Sequence, residues 1–176
     1  MSRILTAALL SVLLFTGCRE DFGESLFVMD YPPQLFTLEA GQNVIPQPVF
    51  VANNILTNYD NFRDATNTAE TDVTRIQPRY ARLVSENGFD FGFLDQVEIR
   101  ICAAHPTDPC VMSEEVFFID DLYRRNITTI NFAPGLRNVK DLLEQNVYKL
   151  EVIFFPGEIV PSSVECRLEY GFEAFK

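Results

Sequence analysis

Three cysteines and the single histidine are the side chains in this sequence best suited to covalent or metal chemistry. Cys102 and Cys110 bracket the stretch AAHPTDP, which holds His105 and two prolines. Three chemistries compete for that loop: a metal site built on Cys102, His105 and Cys110, a nucleophile with His105 as its base, or a disulfide. Paired zinc-ligand spacings such as C-x-x-C are absent, and a general base needs freedom that a short clamped loop denies it. Strand periodicity separates the thiols. In VECRLEYGFEAF, residues 164, 166, 168, 170, 172 and 174 share one apolar face, so Cys166 points into a core as a free thiol. In QVEIRIC, Val97, Ile99 and Ile101 share the apolar face, which leaves Cys102 with Gln96, Glu98 and Arg100 on the polar one. Cys102 and Cys110 are therefore expected to close the loop as a disulfide, with no metal and no catalytic role.

Paired carboxylates would be another route to catalysis, and Glu114–Glu115 and Asp120–Asp121 are the adjacent pairs on offer within the expected domain. Neighbours on a strand point to opposite faces, so neither pair converges on one bond. The eight glycines are scattered, with no GxGxxG or P-loop among them. No catalytic residue or cofactor site is expected, and the chain reads as a non-enzyme. For ligand binding, Tyr59, Phe62 and Tyr123 are the aromatic candidates, set beside Asn and Asp side chains that could serve a glycan. Residues 53–72 read as a long surface excursion without sustained periodicity. Its Asn58, Asp60, Asn61 and Asp64 lack the D-x-D-x-D-G order of a calcium loop and suit Asx turns instead.

The remaining cysteine, Cys18, stands at the end of a three-zone N-terminus. Arg3 gives a basic start, Ile4–Phe15 an apolar core, and Thr16 and Gly17 a small-residue exit. Twelve residues of helix cover roughly 18 Å, well short of a hydrocarbon core of about 30 Å, so the run is a removable signal and not a span. The sequence FTGC resembles the lipobox of bacterial lipoproteins, with Phe15 where an aliphatic residue is commoner. That resemblance implies cleavage after residue 17 and fatty acylation of Cys18, palmitate included, in an oxidising envelope compartment. The following REDFGES, with Glu20, Asp21 and Glu24, resembles the acidic export tag of surface-exposed lipoproteins of Bacteroidota. By the resemblance to better-known lipoproteins, Arg19 in place of Asp after the cysteine implies the outer membrane rather than inner-membrane retention.

The chain carries 14 Lys and Arg against 25 Asp and Glu, a net charge of −11. Phosphate neutralisation needs a basic face, so nucleic acid is excluded as a partner. Acidity also keeps a domain tethered to a membrane surface in solution.

What positions these residues is an antiparallel β organisation. LFVMDY, QLFTLEA, NVIPQPVFVA, VTRIQPRYARLVS, QVEIRICA, EEVFFID, ITTINFA, YKLEVIFF and VECRLEYGFEAF read as strands between turn-rich joints. Pro46 and Pro48 confine NVIPQPVFVA to an edge or a bulge. One short helix of about nine residues is expected after Asn138, which caps it, with Val139, Leu142 and Leu143 as its apolar stripe. The reading is an all-β, antiparallel two-sheet sandwich, immunoglobulin-like or a related Greek key. Residues 1–17 form the signal, 18–25 the lipidated tether and 26–176 one domain. The aromatic FDFGFLDQVEIRI, the short NVKDLLEQN and the alternating final strand resemble small β-sandwich lipoproteins of Bacteroidota, a likeness that implies a location and a fold. The expected function is a lipid-anchored envelope binding or assembly subunit with a protein partner; the alternative is a glycan-binding surface lipoprotein of a nutrient-uptake system.

Overall fold

The computed structural model describes residues 23–105 and 108–176. The expected signal and Cys18 lie outside the described residues. Ten strands run β1 Ser25–Asp30, β2 Gln34–Leu38, β3 Val49–Leu56, β4 Arg75–Ser85, β5 Leu94–Ala103, β6 Glu115–Ile119, β7 Thr129–Asn131, β8 Ala133–Pro134, β9 Val147–Pro156 and β10 Val164–Phe175. Two helices join them, α1 Tyr59–Ala65 and α2 Lys140–Leu143.

The strands form two five-stranded antiparallel sheets, as expected for a sandwich. One has the order β1-β10-β4-β7 with β2 also on β10; the other is β3-β9-β5-β6-β8. β1 and β2 occupy successive stretches of one edge of β10, Asp30 opposite Gly171 and Gln34 opposite Leu168. Pro32 and Pro33 fall in the gap, where their missing N–H groups cost no ladder bond. The chain changes sheet between β2 and β3, β3 and β4, β4 and β5, β6 and β7, β7 and β8, and β9 and β10. Of the two layouts expected, this order is the related Greek key: a jelly roll, with β8 as an added edge.

The final strand follows its sequence pattern. Val164, Cys166, Leu168, Tyr170, Phe172 and Ala174 are all buried, and Cys166 is a free thiol at 2% exposure. β3 is an edge strand, pairing only with β9 among the described residues. Its pairing shifts between Ala52 and Ile55, where Asn54 takes a left-handed φ of 55°. Pro78 lies inside β4, a central strand, and the register of that strand with β10 shifts beside it, between Gly171 and Phe172.

The helices depart from expectation. α2 is a single turn of four residues and not nine. Asn138 does help start it, its Oδ1 accepting the N–H of Lys140 at 3.1 Å and of Ile76 at 3.0 Å. Val139, Leu142 and Leu143 are buried as the stripe required. The helix stops early because Thr57 takes the next carbonyls: its hydroxyl donates to Gln145 O and its N–H to Asn146 O. The seven-residue helix α1 lies instead within the supposed excursion 53–72, which also contains the end of β3 and a 3-10 turn at Glu70–Asp72. Its cause is the i, i+3 pair Tyr59 and Phe62, whose rings reach Phe27 at 6.2 Å and Tyr31 at 6.0 Å between centroids.

Candidate functional site

The outer faces of the two sheets differ in chemistry. On the β10-containing sheet, Arg82 pairs with Glu169 and Arg167 with Glu86, each at 2.5 Å, and Arg79 with Glu173 at 3.6 Å. These groups are solvated, and such pairs contribute at most about 1 kcal/mol each. The outer face of the other sheet carries charges that are buried. Glu98, Lys149 and Glu151 are 6%, 3% and 4% exposed, although their positions on β5 and β9 alternate with core residues and face away from the sandwich interior.

Register brings them together. Arg100 stands opposite Glu151, and Cys102 opposite Lys149. Arg100 donates to Glu98 at 2.5 Å and to Cys110 O at 3.3 Å; Gln96 Nε2 donates to Glu98 at 2.8 Å. Lys149 pairs with Glu151 at 2.9 Å and donates to Asp108 O, while the N–H of Cys110 donates to Glu151 at 3.0 Å. Each buried charge thus has an opposite charge within hydrogen-bond reach and an additional polar partner, the arrangement that makes burial tolerable. Burial, with Glu98 beside it, also raises the carboxyl of Glu115 above its usual range.

What covers these charges, among the described residues, is the segment Asp108, Pro109 and Cys110. The expected disulfide Cys102–Cys110 closes the loop that holds it, with Cα atoms 5.6 Å apart. A groove of about 860 Å³ remains over the sheet, walled by Val49 and Val51 of β3 on one side and Pro109 and Met112 on the other. The ligand atoms of Cys102, Cys110 and Glu114 lie within 4.8 Å of one another, but the two sulfurs are bonded to each other and offer no thiolate. His105 sits beside Asp108, Nδ1 to carboxylate 3.2 Å, on the exposed side of the loop. Glu114 accepts the N–H of Val111 at 2.7 Å, and Asp121 pairs with Arg125.

The aromatic candidates do not converge. Tyr59 is 5% exposed and Phe62 half-buried, both turned into the core by the helix the sequence pattern did not reveal; only Tyr123, at 37%, stands out in solvent, beneath the Arg124 guanidinium. The residues that sequence reasoning missed are Lys149 and Glu151. Their signal was present: YKLEVIFF alternates for three steps with charge at every second position, which marks a face that must be either wet or paired.

No family model and no curated protein matches the chain. Among solved structures, it is similar to a chain of Cocksfoot mottle virus, at 10% identity, 84% coverage of each chain and a TM-score of 0.29. It is also similar to a chain of Cucumber leaf spot virus, at 11% identity, with 87% of this chain covered and 55% of the viral one, and a TM-score of 0.28. At these scores the likeness carries no argument about fold or function.

Proposed function

We propose that this chain is a lipid-anchored envelope protein, held to the outer membrane through acyl chains on Cys18. In this reading it works without catalysis, by taking up an extended segment of a protein partner along β3 and the adjoining groove. The observation that carries the partner reading is the composition of that edge. β3 reads VFVANNIL, without one charged residue, in a chain of net charge −11. Edge strands that must avoid other chains are normally guarded by charge. Val49 and Val51 are 48% and 42% exposed here, with Ile45 at 79% just before the strand. Between the two sheet edges Phe36 stacks on Phe50 at 4.0 Å, and nearby Gln42 Oε1 is buried with no donor among the described residues. An added strand supplies main-chain donors and alternate apolar side chains to such a place.

The anchor rests on FTGC and the apolar run before it. Metabolic labelling with an alkyne palmitate tests that half: label is expected on the wild type and lost in Cys18→Ser. A photo-crosslinking amino acid at Val51, followed by purification from solubilised envelopes, tests the other half. One discrete crosslinked protein is expected. Recovery of the uncrosslinked chain alone overturns the partner reading and leaves the anchor standing.

A further inference from the structure

Three connections meet at one end of the sandwich: β4–β5, β6–β7 and β9–β10. Backbone hydrogen bonds tie them into one body. Arg124 N–H donates to Gly92 O at 2.6 Å, Phe91 N–H to Ile127 O at 2.8 Å, Gly157 N–H to Phe93 O at 2.9 Å and Leu122 N–H to Asp95 O at 3.0 Å. Gly92 is needed for this approach, since a Cβ there would lie 2.7 Å from Asp90 Oδ1 and 3.0 Å from Arg125 O. Arg124 is held at φ 61° and Asp121 at φ 55°, left-handed conformations that an arginine in particular seldom adopts.

These loops form an open cavity of about 390 Å³, remote in sequence from β3. Phe89, Asp90, Arg124, Asn126, Glu158 and Ser162 line it. Phe89 is 49% exposed, whereas its neighbours in the same alternating stretch, Phe91 and Phe93, are buried at 0% and 3%. Around that open ring stand two carboxylates, a guanidinium, an amide and a hydroxyl, so acceptors and donors are interleaved within one small volume.

We infer that this cavity is a binding site for a neutral saccharide, a single pyranose or the end of a short oligosaccharide. The Phe89 ring stacks on the apolar C–H face of the sugar. Asp90 and Glu158 accept from its hydroxyl groups; Arg124 and Asn126 donate to its oxygens. Two carboxylates against one guanidinium disfavour phosphate or acidic sugars. The cavity's size, near the lower end of small-molecule sites at roughly 300–1,000 Å³, suits one ring or two and not a polymer laid along a surface. The inference does not depend on the β3 reading.

Saturation-transfer NMR on the purified full chain in a sugar-free zwitterionic detergent tests it. The probes are methyl glucoside, methyl mannoside, methyl galactoside, methyl N-acetylglucosaminide and galacturonate, each at about 10 mM, above the roughly millimolar dissociation constants of single-site sugar contacts. Transfer to at least one neutral sugar is expected, with binding weakened about tenfold or more in Phe89→Ala and in Glu158→Gln. Arg124→Gly should also weaken it while keeping or raising the melting temperature, because glycine takes that backbone conformation without strain. A Phe89→Ala chain that fails to fold leaves the other two variants to decide. Three results overturn the inference: no transfer to any neutral sugar, transfer undiminished in the folded variants, or preference for galacturonate over methyl galactoside.

Discussion

The hydroxyls of Tyr148 and Tyr170 lie 2.7 Å apart, one from each sheet, in the middle of the core. Both side chains are fully buried, and Tyr31 stacks on Tyr170 at 5.4 Å while meeting Tyr148 edge-on at 5.5 Å. Tyr31 sends its own hydroxyl to Thr57 O at 2.8 Å. The two sheets are thus joined by a polar bond inside an aromatic cluster, and not by apolar contact alone. Tyr148→Phe or Tyr170→Phe leaves the other hydroxyl buried without its partner, at an expected cost of about 1–3 kcal/mol in urea unfolding. The double variant should cost less than the two singles added together; strict additivity would show that the bond contributes nothing.

Burial pushes the Cys166 thiol from its ordinary value of 9.0 up to about 12, and raises the phenols of Tyr31, Tyr148 and Tyr170, mainly by desolvation. In each case the folded state favours the neutral form. The stability this linkage contributes is fully present below the unfolded values and is lost as pH climbs from 9.0 toward 12 for the thiol, with the tyrosines following from 10.0 upward. Denaturant midpoints should be flat in this respect up to about pH 9 and then fall, with a maximum slope near 1.4 kcal/mol per pH unit for each group. Cys166→Ala should remove the earliest part of that fall. In the native chain Cys166 should also resist iodoacetamide at pH 8 and react once unfolded in urea, which mass spectrometry reads directly.

Glu151 holds together two things that are far apart in sequence, the Lys149 ammonium and the N–H of Cys110. Glu151→Ala strands a buried cation and a backbone donor, so a loss of about 3–5 kcal/mol is expected. Lys149→Met combined with Glu151→Leu should recover much of it, because the pair is then replaced by apolar volume. A single variant as stable as the wild type would mean that water reaches this floor.

Opening the Cys102–Cys110 disulfide frees a loop with a sequence separation of 8, worth about 2–3 kcal/mol by restriction of the unfolded chain. Cys102→Ala/Cys110→Ala should therefore lower the melting temperature, and hydrogen exchange should rise first over 104–111. Protection unchanged in that segment would show that Arg100, Lys149 and Glu151 hold the loop without the bond.

Val51→Lys places one charge on the exposed edge of β3. Stability should stay within about 0.5 kcal/mol of the wild type, whereas capture of a partner in envelope pull-downs should fall away. Equal capture by both chains counts against strand addition at this edge.

Where one periodicity governs a strand, the sequence was legible. Alternation of period two placed Cys166 inside and Cys102 outside, and thereby the disulfide. Prolines that cannot donate marked β3 as an edge, and the short stripe after Asn138 located a buried turn. Local pattern suffices there because a side chain's face is fixed by its own strand. It failed at 53–72, where helix α1 is held by Tyr59 and Phe62 against Phe27 and Tyr31, contacts no local signal contains. It also placed Tyr59 on a surface that it does not reach and Phe62 on one that it reaches only in part.

The sequence by itself determined the sandwich, the pairing of two thiols and the net acidity of the chain, because these follow from chain-local alternation and composition. Only the tertiary structure decided that the polar face of β5 is roofed and its charges paired with those of β9, and that three distant loops close on one cavity. Register and sheet-to-sheet crossings choose which strands become neighbours, and a charge has no fixed meaning until its neighbour is known.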